Sequence, residues 1–302
     1  MLSKMNLTLC LIVLWLLPTG LSSDYYSNPL GKQSTAPAAQ SIAGSWAIRS
    51  STPGLVWTSR KYVDSSYGNQ VVNVLDIDLT LVKLRSVRTQ YSNKYESILS
   101  MGNRTKALAG VNGGFFCYTT DDICSTTACS SPTNCPPPVQ PRSLLIISGT
   151  TKSANCALRT SFGLTGTGVP KIQQVGAGQS WPGVSYAVGA GPNLVTGGTK
   201  NITQEGFCWY TESAPRTAVA TTSNGHILLV TVDGRYKGAD GMTIDMLADF
   251  LINEFKVTSA MNLDGGGSTS MYYGGKIVNS PSDKTCDGCC RCVYDGLFVY
   301  AQ

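Results

Sequence analysis

The sequence predicts an α+β fold: a single domain of mostly antiparallel, twisted sheets with one or two packed helices, stabilised by disulfides. Three observations carry that expectation. Alternating, β-branched runs recur along the chain between turns rich in glycine, of which there are 32 in 302 residues. One segment, from Thr243, has clear helical spacing. Eleven cysteines lie behind or within an N-terminal leader of the kind that directs a chain to an oxidising compartment.

The elements follow in order. An apolar run from Leu7 to Leu17, preceded by Lys4 and followed by the small residues Pro18 to Ser23, reads as a secretory signal over 1–23, cut near Gly20 to Ser23. Residues 24–40 are polar and broken by Pro29, Gly31 and Pro37, a poorly ordered lead-in to a domain over 41–302. Val71 to Leu84 reads as two strands joined near Leu79 and Thr80, Ser92 to Met101 as a short helix, and Ala107 to Val111 as a buried strand. Thr119 to Pro141, with its Ser/Thr-Cys contexts and Pro136-Pro-Pro138, reads as a disulfide-tied loop. Strands are expected again at Ser143 to Ser148, Ser161 to Leu164 and Lys171 to Val175, and on both sides of Gly191-Pro192. Arg216 to Thr222 and His226 to Val232 form a hairpin, with Asn224-Gly225 suited to a type I′ turn. Ile244, Leu247, Ala248, Leu251 and Phe255 share one helical face, with Thr243 as cap and Asp245 in the first turn. A strand from Val257 to Met261, a hairpin turned by Gly274-Gly275 and a last strand from Cys292 to Tyr300 close the chain.

Net charge is +5, but the cations are scattered, which gives no footprint for nucleic acid. After the leader, no run reaches the roughly eighteen apolar residues of a membrane span, so no membrane anchor is expected in the mature chain. Removing Cys10 with the signal leaves ten cysteines and up to five disulfides. They cluster at Cys117, Cys124, Cys129 and Cys135, and at Cys286, Cys289, Cys290 and Cys292, with Cys156 and Cys208 between. A zinc site is disfavoured, because such thiols oxidise in a secreted chain and the sequence holds one histidine. Asn103-Arg-Thr105 and Asn201-Ile-Thr203 are glycosylation sequons and predict exposed segments.

Chemistry concentrates at strand ends. Asn262-Leu-Asp-Gly-Gly-Gly-Ser-Thr-Ser270 sets Asp264 beside Gly265, Gly266 and Gly267, whose backbone N–H groups can converge on an anion, with hydroxyls from Ser268 and Thr269. Asn112 before Gly113, Arg216 opening the hairpin and Asp233 closing it would join Asp264 if their strands share a sheet end. Two carboxylates with a guanidinium suit a substrate that carries both an anion and an acetal carbon. Each residue alone has an ordinary alternative, a turn or a surface ion pair. His226 flanks a turn, and Gly267-Ser268-Thr269 lacks the nucleophile elbow of a serine hydrolase. Trp181, Tyr186, Trp209 and Tyr210 are left to the core. No cofactor motif is present, and no calcium-type acidic loop accompanies Asp233 and Asp264.

The blocks Val111-Asn-Gly-Gly-Phe-Phe116, Gly189-Ala-Gly-Pro-Asn-Leu-Val195, Pro215-Arg-Thr-Ala-Val219, Val232-Asp-Gly-Arg235, Gly241-Met-Thr and Asn262 to Thr269, in that order, resemble the phosphodiester glycosidase domain family. The resemblance runs from about Val71 to Val299. It implies hydrolysis of an α-linked N-acetylglucosamine from a sugar-1-phosphodiester, leaving a phosphomonoester on a glycan or glycoprotein acceptor. It also implies that Asn112, Gly113, Arg216, Asp233, Asp264 and the Gly265 to Thr269 turn line the pocket. Chemistry then gives the phosphate charge to Arg216 and the turn, and the oxocarbenium face to Asp264 and Asp233. Secretion, or residence in the lumen of the secretory or endolysosomal pathway, follows from the leader. The competing readings are a secreted binder of carbohydrate or glycophosphate on the same scaffold and a disulfide-rich structural protein.

Overall fold

The computed structural model describes residues 45–65, 67–92, 94–116, 141–207 and 209–302. The signal, the lead-in, the cysteine-rich loop as far as residue 140 and Cys208 lie outside the described residues. Residues 40–302 form one compact unit.

The first strands, β1 (Ala47–Thr52), β2 (Leu55–Asp64) and β3 (Gly68–Ile77), form a meander. A turn at Asp78 to Leu81 leads into β4 (Val82–Arg88), as the sequence predicts, but β3 and β4 join different sheets. The short β5 (Glu96–Ser97) comes next, then α1 (Ile98–Thr105). This helix starts later than the sequence predicts, because Ser97 is its cap and takes the Ser100 N–H at 3.0 Å. The chain continues through β6 (Ala109–Asn112), β7 (Leu145–Ile147), β8 (Thr150–Ser153), β9 (Arg159–Thr165), β10 (Pro170–Val175), β11 (Val184–Gly189), β12 (Asn193–Thr196) and β13 (Thr199–Lys200). After these come β14 (Arg216–Thr222), β15 (Ile227–Val232), α2 (Ile244–Phe255), β16 (Val257–Asn262), β17 (Met271–Tyr273), β18 (Lys276–Ile277), β19 (Cys292–Val293) and β20 (Asp295–Ala301). The predicted final strand is thus two pieces in different sheets.

An eight-stranded sheet, ordered β1-β2-β3-β15-β14-β16-β12-β13, is the platform. Two five-stranded sheets, β10-β9-β11-β7-β8 and β18-β17-β6-β20-β4, share a core with one of its faces. Every strand pair among the described residues is antiparallel. Alternation sorts the platform cleanly. Leu55, Leu75, Leu229, Val219 and Met261 face the five-stranded sheets, whereas Val72, Val74, Val230, Ala218 and Ala260 face Leu247, Ala248 and Leu251 of α2. Thr243 caps α2 by accepting the Met246 N–H at 3.2 Å.

Two sequence expectations need correction here. The β14–β15 turn is not type I′, which requires positive φ at both central residues. Only Gly225 has positive φ, and its N–H donates to Thr222 O at 3.0 Å, so the chain makes an ordinary turn followed by a left-handed glycine. The Gly274-Gly275 turn does have positive φ at both residues. In the C-terminal cysteine cluster, Cys286 and Cys292 form a disulfide, while Cys289 and Cys290 carry free thiols with their sulfurs 3.2 Å apart. Cys156 is also disulfide-bonded. Asn103 and Asn201 are both exposed, as a glycan attachment would need. Among the described residues no helix is long and apolar enough to cross a membrane.

Candidate active site

In the order β15-β14-β16, the start of β14 lies beside the ends of its two neighbours. Arg216, Asp233 and Asp264 therefore gather at one end of the platform. From the adjoining sheet, β6 brings Asn112 to the same end, where Gly113 O takes the Asp264 N–H at 3.0 Å. The strand ends converge as the sequence suggests.

Side-chain directions divide the group. Arg216 lies opposite Val232 on the α2 face, whereas Asp233 continues the register of Val71 and Lys61 on the other. Arg216 is 3% exposed. Its Nε donates to Met242 O at 2.8 Å, and Nη2 donates to the carbonyls of Trp209 and Glu212. Three of five guanidinium N–H groups are thus held by backbone, and burial lowers its pKa to about 10. Asp233 is 1% exposed and accepts from Asn279 Nδ2 at 3.0 Å, from the Ser280 N–H and from the Tyr236 hydroxyl. Burial raises its pKa against these bonds. Asn112 is likewise engaged: Oδ1 accepts from Thr217 Oγ1 and the Ser270 N–H, and Nδ2 donates to Asp264 O at 2.6 Å. It clamps three segments together.

The glycine turn departs from an anion nest. The Gly265 N–H donates to Asp264 Oδ1 at 2.9 Å, and those of Gly266, Ser268 and Thr269 donate to carbonyls of Pro215, Gly265 and Gly266. Residues 266–268 close as one 3-10 turn that consumes most of its own donors. The hydroxyls of Ser268 and Thr269 are buried, with no hydrogen-bond partner among the described residues. Two guanidinium groups approach where the missing Cβ atoms admit them, each ion-paired: Arg235 Nη2 with Glu212 at 2.9 Å and Arg291 Nε with Asp283 at 2.7 Å. A Cβ on Gly266 would meet the Arg235 guanidinium at 3.1 Å, and one on Gly267 would meet that of Arg291 at 2.4 Å.

Half-buried Asp264 has a second carboxylate for company. Asp295, at the start of β20, accepts the Gly114 N–H at 2.7 Å, and its Oδ1 fills the space where a Gly113 Cβ would stand. Burial first, and the Asp264 charge second, push its pKa up to about 7. Aromatic rings add an apolar wall: Trp209 stacks on Phe207 at 4.8 Å and lies over the Arg216 guanidinium at 5.1 Å, with Phe115 edge-on to both. Asp295, Arg235, Arg291, Phe115 and Trp209 are absent from the sequence-derived set. For Asp295 a signal existed, a lone carboxylate inside a predicted, otherwise largely apolar strand.

A family model for phosphodiester glycosidases matches residues 105–300. The bovine N-acetylglucosamine-1-phosphodiester alpha-N-acetylglucosaminidase is 38% identical over 77 residues, 26% of this chain and 14% of its own length. The human enzyme of that name is 35% identical over 77 residues, 26% of this chain and 15% of its own. An uncharacterized prophage-derived protein of Bacillus subtilis, YomE, is 31% identical over 122 residues, 35% of this chain and 18% of its own. The aligned part is thus a small share of each relative's length. Among solved structures, the zebrafish N-acetylglucosamine-1-phosphodiester alpha-N-acetylglucosaminidase catalytic domain, auto-inhibited by its pro-peptide, superposes with a TM-score of 0.64 at 21% identity. That match covers 85% of this chain and 86% of the zebrafish one. A hypothetical protein from Synechocystis gives 0.63 at 18% identity over 86% and 64% of the two chains. These two likenesses concern the fold, and the family match spans every segment that builds the site from β6 to β20. The chain belongs to the phosphodiester glycosidase family.

Proposed function

We propose that the chain is a secreted or lumenal hydrolase that cleaves the C1–O bond of an α-linked N-acetylglucosamine in a sugar-1-phosphodiester, leaving a phosphomonoester on a glycan acceptor. The observation that carries this reading is the Asp264–Asp295 carboxylate pair beside a turn flanked by Arg235 and Arg291. A phosphodiester is already a weakly basic leaving group, so the catalytic carboxylate works on the water. Asp264, half-buried, takes a proton from water as the oxygen attacks C1. The electron pair of the C1–O bond passes to phosphate, whose charge Arg235 and Arg291 stabilise. Arg216 acts by holding Trp209 and the Met242 carbonyl in place, Asn112 by fixing the Asp264 backbone, and Asp233 by anchoring Asn279, which also donates to Thr269 O at 3.1 Å. Phe115 and Trp209 offer faces to the sugar.

Incubating the secreted chain with N-acetylglucosamine-α-1-phospho-mannose and following free N-acetylglucosamine tests the reading. Release supports it. Binding without release from a folded sample would leave the non-catalytic binder, and neither would remove both.

Asp295 gives the reaction a pH dependence. Its folded pKa is raised, so its neutral form is present at low pH and gives way to a buried charge as pH rises through about 7. That charge repels both Asp264 and an incoming phosphodiester, so activity should fall above about 7. Stability should fall too, from the ordinary value of 3.8 upward through about 7. Asp295→Asn keeps an acceptor for the Gly114 N–H and cannot ionise. Its pH–rate profile and melting curves should lose this limb, and an unchanged limb would remove Asp295 from the account.

A further inference from the structure

A cavity of about 400 Å³ opens between β1–β3 and the Val278–Ser280 segment. None of Asp264, Asp295 or the glycine turn lines it. Alternation on two paired strands builds the wall: Trp57, Ser59 and Lys61 of β2 share a face with Val71 and Asn73 of β3.

The unspent bonding capacity of the wall is one-sided. Asn73 is 3% exposed; its Oδ1 accepts from Trp57 Nε1 at 3.2 Å, and its Nδ2 donates to nothing among the described residues. Arg49 uses Nε on Ser59 Oγ at 2.6 Å and has no further hydrogen bond there. Neither Arg49 nor Lys61 has a carboxylate at ion-pair distance among the described residues. The third cation, Arg60, is turned to the α2 side, bonded to Glu254 and stacked on Tyr62 at 4.3 Å. Asp233, the carboxylate in the lining, is already bonded to Asn279, Ser280 and Tyr236. What remains is two cations, one buried amide donor and the apolar surfaces of Trp57, Val71 and Val278. An acceptor-rich anion with an apolar face meets these needs, and the volume falls in the range of small-molecule sites.

We propose that this cavity is a second carbohydrate site, which takes a hexose bearing a phosphomonoester. Arg49 and Lys61 hold the anion, and Asn73 Nδ2 with Ser59 holds ring hydroxyls. The inference stands on the cavity and is independent of the hydrolase reading. Calorimetric titration of the full chain with glucose 6-phosphate, glucose and inorganic phosphate tests it. Glucose 6-phosphate should bind at least tenfold tighter than either fragment. The double variant Arg49→Ala, Lys61→Ala, altered at two exposed side chains, should bind it at least tenfold more weakly. Asp264→Asn, outside the cavity, should bind it as the parent does. No binding to the folded parent, equal binding of inorganic phosphate, an unaffected double variant, or loss of binding in Asp264→Asn would each overturn the proposal.

Discussion

Asp264→Asn should lower the rate of sugar release by about 10³-fold and leave the fold intact. Asn preserves the shape and an oxygen for the Gly265 N–H, which Asp264 Oδ1 accepts at 2.9 Å, but it cannot take a proton from water. Because the site is half-buried and the lost group is ionic, the melting temperature should change little or rise, while kcat collapses. The same substitution removes the charge that helps raise the Asp295 pKa. Any residual activity should therefore begin to decline at lower pH than in the parent. Full activity in a folded Asp264→Asn chain would sink the assignment.

Gly114→Ala is expected to damage both stability and activity. Its Cβ would stand 2.4 Å from the Gly189 carbonyl oxygen and 2.8 Å from Ser143 Oγ. The first of these is backbone in β11 and cannot swing away, so the strain should cost about 1–3 kcal/mol or more. Relief requires the Gly113–Phe115 segment to move, which breaks the Gly114 N–H bond to Asp295 and shifts Phe115 from its aromatic wall. Gly166→Ala is the control: its Cβ would meet only Ser185 Oγ, at 3.5 Å, and should change stability by less than about 0.5 kcal/mol. Urea unfolding of the two variants separates them, and equal stabilities would contradict the packing described here.

Much of this fold can be read from the chain because burial on one face writes itself into alternation. The strands on both sides of Ser223-Asn224-Gly225 are examples, as is α2, whose apolar residues recur at helical spacing. The strand β2 escapes such reading: Arg60 and Tyr62 are buried, stacked on each other, with Arg60 also paired to Glu254, so their polar atoms hide an inward-facing pattern. The site was legible as a set of strand ends but not as a set of roles. Opposition of Arg216 and Asp233 across the platform depends on register, which a single sequence does not state. The engagement of Asn112, Arg216 and Asp233 depends on carbonyls and amides up to about 160 residues away in sequence. Asp295 and Arg291 enter the site from a segment whose cysteines drew attention to disulfides instead.

The central claim is that the bond broken is the one to the sugar. Hydrolysis of N-acetylglucosamine-α-1-phospho-mannose in water enriched in heavy oxygen, read by mass spectrometry of the phosphomonoester, tests it most directly. Attack at C1 predicts a phosphate free of label, with the heavy oxygen on the sugar. Label in the phosphate would mean attack at phosphorus, and the site would then be a phosphodiesterase rather than a glycosidase.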